Sequence, residues 1–174
     1  MLLDRLFREK PSRQAGRALY SAVVEKARSP DLFGSLGIPD TVEGRFESYS
    51  LHVFLLLDRL RRQGPQAADT AQALFDTYVV SLDDALREMG VGDLSVGKKM
   101  RRLGEAFYGR VKSLEAAFEA LPETTDLEAV LSRTALEGSQ VGPEALRDYV
   151  MAERASLALL PLEPLCEGKV WGQS

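Results

Sequence analysis

Apolar side chains recur every three or four residues along most of the chain, and this spacing constrains the fold more than any other sequence feature. Two long stripes dominate the pattern, one from Ala67 to Met89 and one from Val96 to Leu121. Such spacing places apolar side chains on one face of an α-helix, whereas a half-buried strand alternates every second residue. No segment shows that strict alternation. The sequence therefore predicts an all-α fold, a single-domain irregular bundle of about six or seven helices.

Capping and helix-breaking residues predict where these helices begin and end. Ser12 is a candidate N-cap for a helix that runs to Arg28. The segment from Arg45 to Arg62 carries apolar side chains on nearly every face, which indicates the central, buried helix. Pro65 opens the first long stripe and Gly90 ends it, while Pro122 ends the second stripe.

The end of the chain continues this pattern. A shorter helix is predicted from Thr125 or Asp126 to Leu136, and a last helix from Pro143 to Leu160. Pro161 and Pro164 then predict an extended tail, because proline removes a backbone donor and disfavours a continuing helix. The predicted parts are an amphipathic basic segment over residues 1–11, a helical domain over residues 12–160, and the tail over residues 161–174, which holds Cys166 and Trp171.

Composition excludes several kinds of protein. Cys166 is the single cysteine and His52 the single histidine, so neither an internal disulfide nor a usual structural zinc site can form. The longest strongly apolar stretch, Val53 to Leu57, is far shorter than the roughly 20 residues of a membrane-spanning helix. The first residues lack the apolar region of a secretory signal, so a cytoplasmic location is expected.

The formal net charge of −4 conceals two basic segments. Residues 1–28 carry seven basic and three acidic side chains, and residues 98–114 carry six basic side chains and only Glu105. The second segment could meet anionic lipid, ribosomal RNA or an acidic protein surface, or it is simply a solvated helix face. It lacks an RNA-recognition signature, so no specific nucleic-acid sequence is expected as a partner. Its basic residues are Lys98, Lys99, Arg101, Arg102, Arg110 and Lys112.

The first ten residues have the pattern of a short amphipathic helix. Apolar side chains recur there at helical spacing, and basic side chains occupy the rest of the helix circumference. This pattern suits a segment lying on a membrane surface or on a partner. The alternative is a terminus that frays or docks on the body, since three turns are marginal as an isolated helix. The candidate membrane-surface residues are Leu2, Leu3, Arg5, Leu6, Phe7 and Arg8.

Two features could indicate catalysis, and neither makes a strong case. Gly92 to Lys99 resembles a phosphate-binding loop, but Lys99 occupies the magnesium-binding position and a helix, not a strand, is predicted before it. A nucleotide-binding enzyme therefore remains a weak alternative. His52 lies on the predicted buried helix, where a hydrogen-bonded core role competes with a catalytic one. No catalytic residue, metal site or cofactor is predicted, and binding is the expected activity.

Three segments, taken together, closely resemble the ubiquinol–cytochrome c chaperone family. They are LGIPDTVEGRFESYSLHVFLLLDRL from Leu36 to Leu60, LDDALREMGVGDLSVGKKM from Leu82 to Met100, and EAFYGRV from Glu105 to Val111. Their order and spacing make the match specific, and the resemblance extends from about Ala15 to Leu121. We refer to these as the first, second and third motifs.

The resemblance implies a non-catalytic assembly factor that needs no cofactor. It implies newly made cytochrome b as apo-protein or nascent chain, a small partner protein and the ribosome as partners. The chain lacks the long targeting extension of the mitochondrial members, which fits a bacterial homologue acting in the cytoplasm or peripherally at the inner face of its membrane. The alternative is a membrane or ribosome adaptor without a cytochrome client.

By the same resemblance, several residues belong to the family motifs, with helix capping, turn geometry and core packing as competing roles. The candidate client or partner contacts, from the motifs and from the basic segment, are Asp40, Arg45, Phe46, His52, Lys98, Lys99, Arg101, Arg102, Phe107, Tyr108 and Arg110.

Overall fold

A computed structural model describes residues 10–171, which form eight α-helices and contain no strand. Six of the helices have nine residues or more, so the predicted all-α bundle is confirmed. No helix of the described part is long and apolar enough to cross a membrane. The helices are α1 (Pro11–Ala27), α2 (Pro30–Phe33), α3 (Val42–Leu60), α4 (Pro65–Glu88), α5 (Asp93–Glu119), α6 (Thr125–Arg133), α7 (Glu144–Leu159) and α8 (Leu162–Cys166).

Helix α3 is the centre of the bundle, as its all-round apolar sequence predicts. It contacts α1, α4, α5 and α7, and its residues from Leu51 to Leu56 are all buried. The helix begins at Val42, three residues before the predicted start, because Thr41 caps it. The Thr41 hydroxyl accepts a hydrogen bond of 3.0 Å from the Gly44 amide, which satisfies one of the free donors of the first turn.

The start of α1 and the end of α6 also differ from the predicted ones. Helix α1 begins at Pro11 and not after a Ser12 cap; its N-cap residue is Lys10, which makes no side-chain capping bond. Proline is well suited to the first helical position because its missing N–H has no partner there. Helix α6 ends at Arg133, before the predicted Leu136, because Thr134 leaves the helical region with φ −122° and ψ −93°.

The tail is not extended throughout, and that prediction is wrong for Leu162–Cys166, which form α8. Pro164 lies in the first turn of α8, where its missing N–H breaks no intrahelical bond. Leu165, Cys166 and Val170 are buried in the core, and α8 packs on α1 and α4. The described part of the tail is therefore a docked element, and Cys166 is a buried thiol.

Candidate functional site

An open groove with a volume of about 580 Å³ lies between α1, α3, α4 and the start of α5. Apolar and aromatic side chains supply much of its surface, which also carries one basic side chain just after α1, one basic side chain from α3 and two acidic ones from α4. Its apolar and aromatic lining residues come from four helices. They are Tyr20 and Val24 of α1; Val42, Phe46 and Tyr49 of α3; Leu82 and Leu86 of α4, with Met89 directly after it; and Leu103 of α5. The charged lining residues are Arg28, Arg45, Asp84 and Glu88.

The first motif builds the wall of the groove at the start of α3. Arg45 and Phe46 line the groove, and the Arg45 guanidinium forms an exposed ion pair of 2.7 Å with Asp40. Its hydrogen bond to Asp40 lowers the pKa of that carboxyl. Glycine is required at position 44, because a Cβ there would lie 1.9 Å from the carbonyl oxygen of Pro39. The first motif therefore combines two groove residues with a tightly packed helix start.

The second motif supplies the opposite wall and the turn into α5. Leu86 and Glu88 line the groove, so the fold brings the first and second motifs together. Between them, Arg87 hydrogen-bonds to Asp83 at 2.6 Å and to Asp93 across the turn. Gly90 has φ +80°, a left-handed conformation that glycine adopts without strain. These contacts fix the angle at which α5 leaves α4.

The resemblance of Gly92 to Lys99 to a phosphate-binding loop is not supported by the fold. Helix α4 precedes this segment and α5 begins at Asp93, so Gly97 and Lys98 are already helical. Backbone amides inside a helix are bonded to carbonyls one turn earlier and cannot surround a phosphate. The segment is a helix start with Gly92 as its N-cap residue.

Two side chains of the third motif, Phe107 and Arg110, point into the body. Phe107 is buried against the rings of Phe75 and Tyr78, with centroids 5.5 and 5.3 Å away. Arg110 forms a double hydrogen bond with the buried carboxylate of Glu47 on α3, at 2.9 and 3.0 Å from its Nε. Tyr108 is exposed. A client-contact role for these residues stays a prediction, and the geometry gives Phe107 and Arg110 a packing role.

His52 is fully buried on α3 with both ring nitrogens engaged. Its Nδ1–H donates to the Ser48 carbonyl oxygen at 2.7 Å, since a carbonyl can only accept. Its Nε2 then accepts from the Tyr149 hydroxyl of α7, also at 2.7 Å. The Trp171 ring lies edge-on at 5.9 Å between centroids. His52 is thus a neutral core histidine that joins α3 to α7 and contacts Trp171 of the tail.

The stability of the protein should fall in acid because of His52. Burial lowers the pKa of His52 to about 4 from its usual 6.5, so below pH 6.5 the unfolded chain binds a proton that the folded chain refuses. Acidification from about pH 7 to about pH 5 should therefore remove about 2 kcal/mol of unfolding free energy through this group.

Urea unfolding of the wild type and of His52→Gln at several pH values measures this effect. The variant should be less stable at neutral pH, because glutamine fills the site poorly, but it should lose about 2 kcal/mol less on acidification. The other titrating groups are common to both proteins and cancel in the comparison. Parallel stability curves would contradict the assignment of a depressed histidine pKa.

The candidate residues of the basic segment before Glu105 lie apart from the groove. Lys98, Lys99, Arg101 and Arg102 are exposed on α5, and none of them is among the groove residues. The N-terminal candidates Leu2, Leu3, Arg5, Leu6, Phe7 and Arg8 lie outside the described residues. Several groove residues were not singled out from the sequence, such as Val42, Tyr49 and Met89. A usable signal did exist for Glu47, because it lies on a helix with apolar side chains on nearly every face, where a buried carboxylate requires a partner.

The described part of the chain is an all-α bundle with an open groove built in part from the first two motifs, and within residues 10–171 no group of three or more possible metal ligands occurs. Residues 34–171 match the family described as ubiquinol-cytochrome C chaperone, and the chain belongs to this family.

Two relatives support the assignment. The chain is 23% identical over 154 residues to ubiquinol-cytochrome-c reductase complex assembly factor 1 of Xenopus laevis, covering 87% of this chain and 76% of that protein. The crystal structure of the Cbp3 homolog from Brucella abortus is similar with a TM-score of 0.83 and 34% identity, over 98% of this chain and 95% of that one. The resemblance inferred from the three motifs is confirmed.

Proposed function

We propose that this protein is a non-catalytic chaperone that binds newly made cytochrome b in the groove during assembly of ubiquinol–cytochrome c reductase. Its membership of the ubiquinol-cytochrome C chaperone family supports the assembly role. The name of the Xenopus laevis relative places that protein in assembly of the reductase complex. The observation that carries the proposal is that residues of the first and second motifs form opposite walls of one groove.

The chemistry of the groove suits a segment of an unassembled membrane protein. Phe46, Tyr49 and Leu82 offer apolar contact, and Val42 and Met89 are large apolar side chains left exposed. Apolar side chains that line a concave site are typical of a place where another chain binds. Such a site can hold an apolar segment of the client until the other subunits of the client's complex are present. This role requires binding but no catalysed reaction.

The charges around the groove add orientation to this affinity. Arg28 and Arg45 lie on the α1 and α3 side, and Asp84 and Glu88 lie on the α4 side. A client segment with acidic and basic side chains on opposite edges would complement both walls, whereas the reverse orientation would place like charges together. This arrangement favours one direction of binding along the groove.

Site-specific photo-crosslinking tests the proposal. Benzoylphenylalanine is introduced at Val42 in the groove or at Val80 on another face of α4, in full chains co-expressed with epitope-tagged cytochrome b. The two valines are matched controls, because they are 61% and 59% exposed. We expect an adduct with cytochrome b from position 42 that is at least about tenfold more abundant than from position 80, as a specific contact requires.

Two results would overturn the proposal in different ways. Equal adducts from positions 42 and 80 would place client binding outside the groove. No adduct at either position, together with normal cytochrome b levels in cells that lack the gene, would reject cytochrome b as the client. A position 42 adduct that disappears when Phe46 is replaced by alanine would support the groove further, because that side chain contributes to the groove lining.

A further inference from the structure

The outward side of the first turns of α5 carries an unusual concentration of positive charge. Lys98, Lys99, Arg101 and Arg102 are all exposed there, within five consecutive residues. Leu94 lies one turn before them and is fully exposed. We call these five residues the basic face. The segment is thinly attached to the body, since Val96 is its only buried residue between Asp93 and Arg102.

The cations of the basic face differ from most others in the described part of the chain. Arg61, Arg147 and Arg154, for example, each form ion pairs with carboxylates. Within residues 10–171, none of the four cations of the basic face forms an ion pair or a side-chain hydrogen bond. Their charge is not neutralised inside the described body and is free to act on an external anion.

One exposed carboxylate shares the basic face with its four cations. Glu105 follows Arg101 by four residues and Arg102 by three, so it lies on the same side of α5 and lowers the local charge from +4 to +3. Asp93 at the helix start is already bonded to Arg87. The net charge of −4 of the whole chain does not cancel the local field either, because salt screens exposed charges beyond about 8 Å. An anionic surface that touches this side of α5 therefore meets four cations and one carboxylate, Glu105.

Leu94 identifies the kind of anionic surface. A fully exposed leucine gains nothing in water, but it gains free energy wherever an apolar layer lies beneath a layer of anionic groups. A bilayer with anionic lipids has this arrangement, with headgroup phosphates above acyl chains. Tyr108, exposed further along the same helix, is the type of side chain that prefers the interface between the two layers. An RNA backbone offers the phosphates without the apolar layer.

We propose that the basic face docks the protein on an anionic lipid bilayer, with its four cations at the headgroups and Leu94 among the upper acyl chains. This inference goes beyond the proposed chaperone function and does not depend on it. It assigns a membrane-binding surface to a part of the molecule that the groove does not use. Docking through α5 would leave the groove free to hold a client at the membrane surface.

Vesicle binding by the full chain tests the inference in the absence of any client. The probes are vesicles of phosphatidylcholine with about one third phosphatidylglycerol, and vesicles of phosphatidylcholine alone. We expect binding only to the anionic vesicles. Arg101→Gln/Arg102→Gln should weaken it at least about tenfold, since each cation near the surface contributes roughly a fivefold factor.

Matched variants separate the basic face from general effects of charge and polarity. Arg13→Gln/Arg62→Gln removes two other exposed cations and should bind as the wild type does. Leu94→Asn should weaken binding about fivefold, whereas Leu159→Asn, at another exposed leucine, should leave it unchanged. Circular dichroism checks that each variant remains helical.

Three results would overturn the inference. One is equal binding of anionic vesicles by wild type and Arg101→Gln/Arg102→Gln, which would place lipid binding elsewhere, for example in residues 1–9. Another is equal binding to both vesicle types. The third is absence of vesicle binding together with binding of a homopolymer RNA. If Arg101→Gln/Arg102→Gln loses this RNA binding and Leu94→Asn retains it, the basic face is an RNA-binding surface.

Discussion

Replacing Arg110 with methionine should lower the free energy of unfolding by about 3 to 4 kcal/mol. Arg110 reaches from α5 to the carboxylate of Glu47 on α3, and the two side chains are only 27% and 10% exposed. Methionine retains the apolar stem but leaves the Glu47 charge without its partner in a poorly hydrated site. The measurement is the urea midpoint and slope of the variant against the wild type.

A double-mutant cycle separates the ion pair from ordinary packing. Glu47→Gln alone should cost about 1 to 2 kcal/mol, because the amide still accepts a hydrogen bond and Arg110 can reach water. The double variant Glu47→Gln/Arg110→Met should lose less unfolding free energy than the two single variants lose in sum. The difference should be at least about 1.5 kcal/mol. If the two single losses simply add in the double variant, Glu47 and Arg110 are not energetically coupled, and the ion pair does not stabilise the fold. Arg110→Lys should fall between wild type and Arg110→Met, since lysine keeps the charge without the double hydrogen bond.

This cycle also decides between two roles of the third motif. If Arg110 contacts a client, its replacement should weaken crosslinking at Val42 while stability changes little. If Arg110 instead packs α5 on α3, its replacement should lower the free energy of unfolding. Substitutions of Phe107 should lower it as well. The geometry favours the second outcome, because Phe107 and Arg110 are both occupied within the described body. The motif would then preserve the position of the helix that carries Leu103 into the groove.

The helices were predictable because their causes are local. The apolar run of α3 specifies burial on all sides, and Pro65 with Gly90 delimits α4 almost as observed. The tail was not predictable in this way, since Pro161 and Pro164 break a preceding helix but do not forbid a new one that begins between them. Whether such a short helix forms depends on burial of Leu165 against the body, which is a tertiary effect.

The groove could not be predicted from periodicity. It exists because α1, α3, α4 and α5 converge at one end, and helical spacing specifies which face is buried without specifying neighbours. Glu47 and Arg110 show the same limit, since the partners are 63 residues apart in the chain. The resemblance to the family indicated the right motifs, but only the fold shows that Phe46 and Leu86 share a groove while Phe107 belongs to the core.

Gly16→Ala should destabilise the protein by about 3 kcal/mol, although alanine is normally the better helix former. Gly16 lies where α1 crosses α4, and a Cβ there would be 2.5 Å from the carbonyl carbon of Ala73 and 2.7 Å from its Cβ and from the amide nitrogen of Leu74. These are mainly backbone atoms, so no side-chain rotation can relieve the overlap. The helices must separate, which also shifts Tyr20 and Val24 of the groove.

Gly104→Ala is the matched control in the interior of α5. Nothing lies within 4 Å of a Cβ at this position, so the same substitution should raise the free energy of unfolding by about 0.5 to 1 kcal/mol. Urea unfolding should therefore give shifts of opposite sign for the two variants. A stabilised Gly16→Ala would mean that α1 and α4 lie further apart than described. A destabilised variant that still crosslinks at Val42 would show that the groove tolerates displacement of α1.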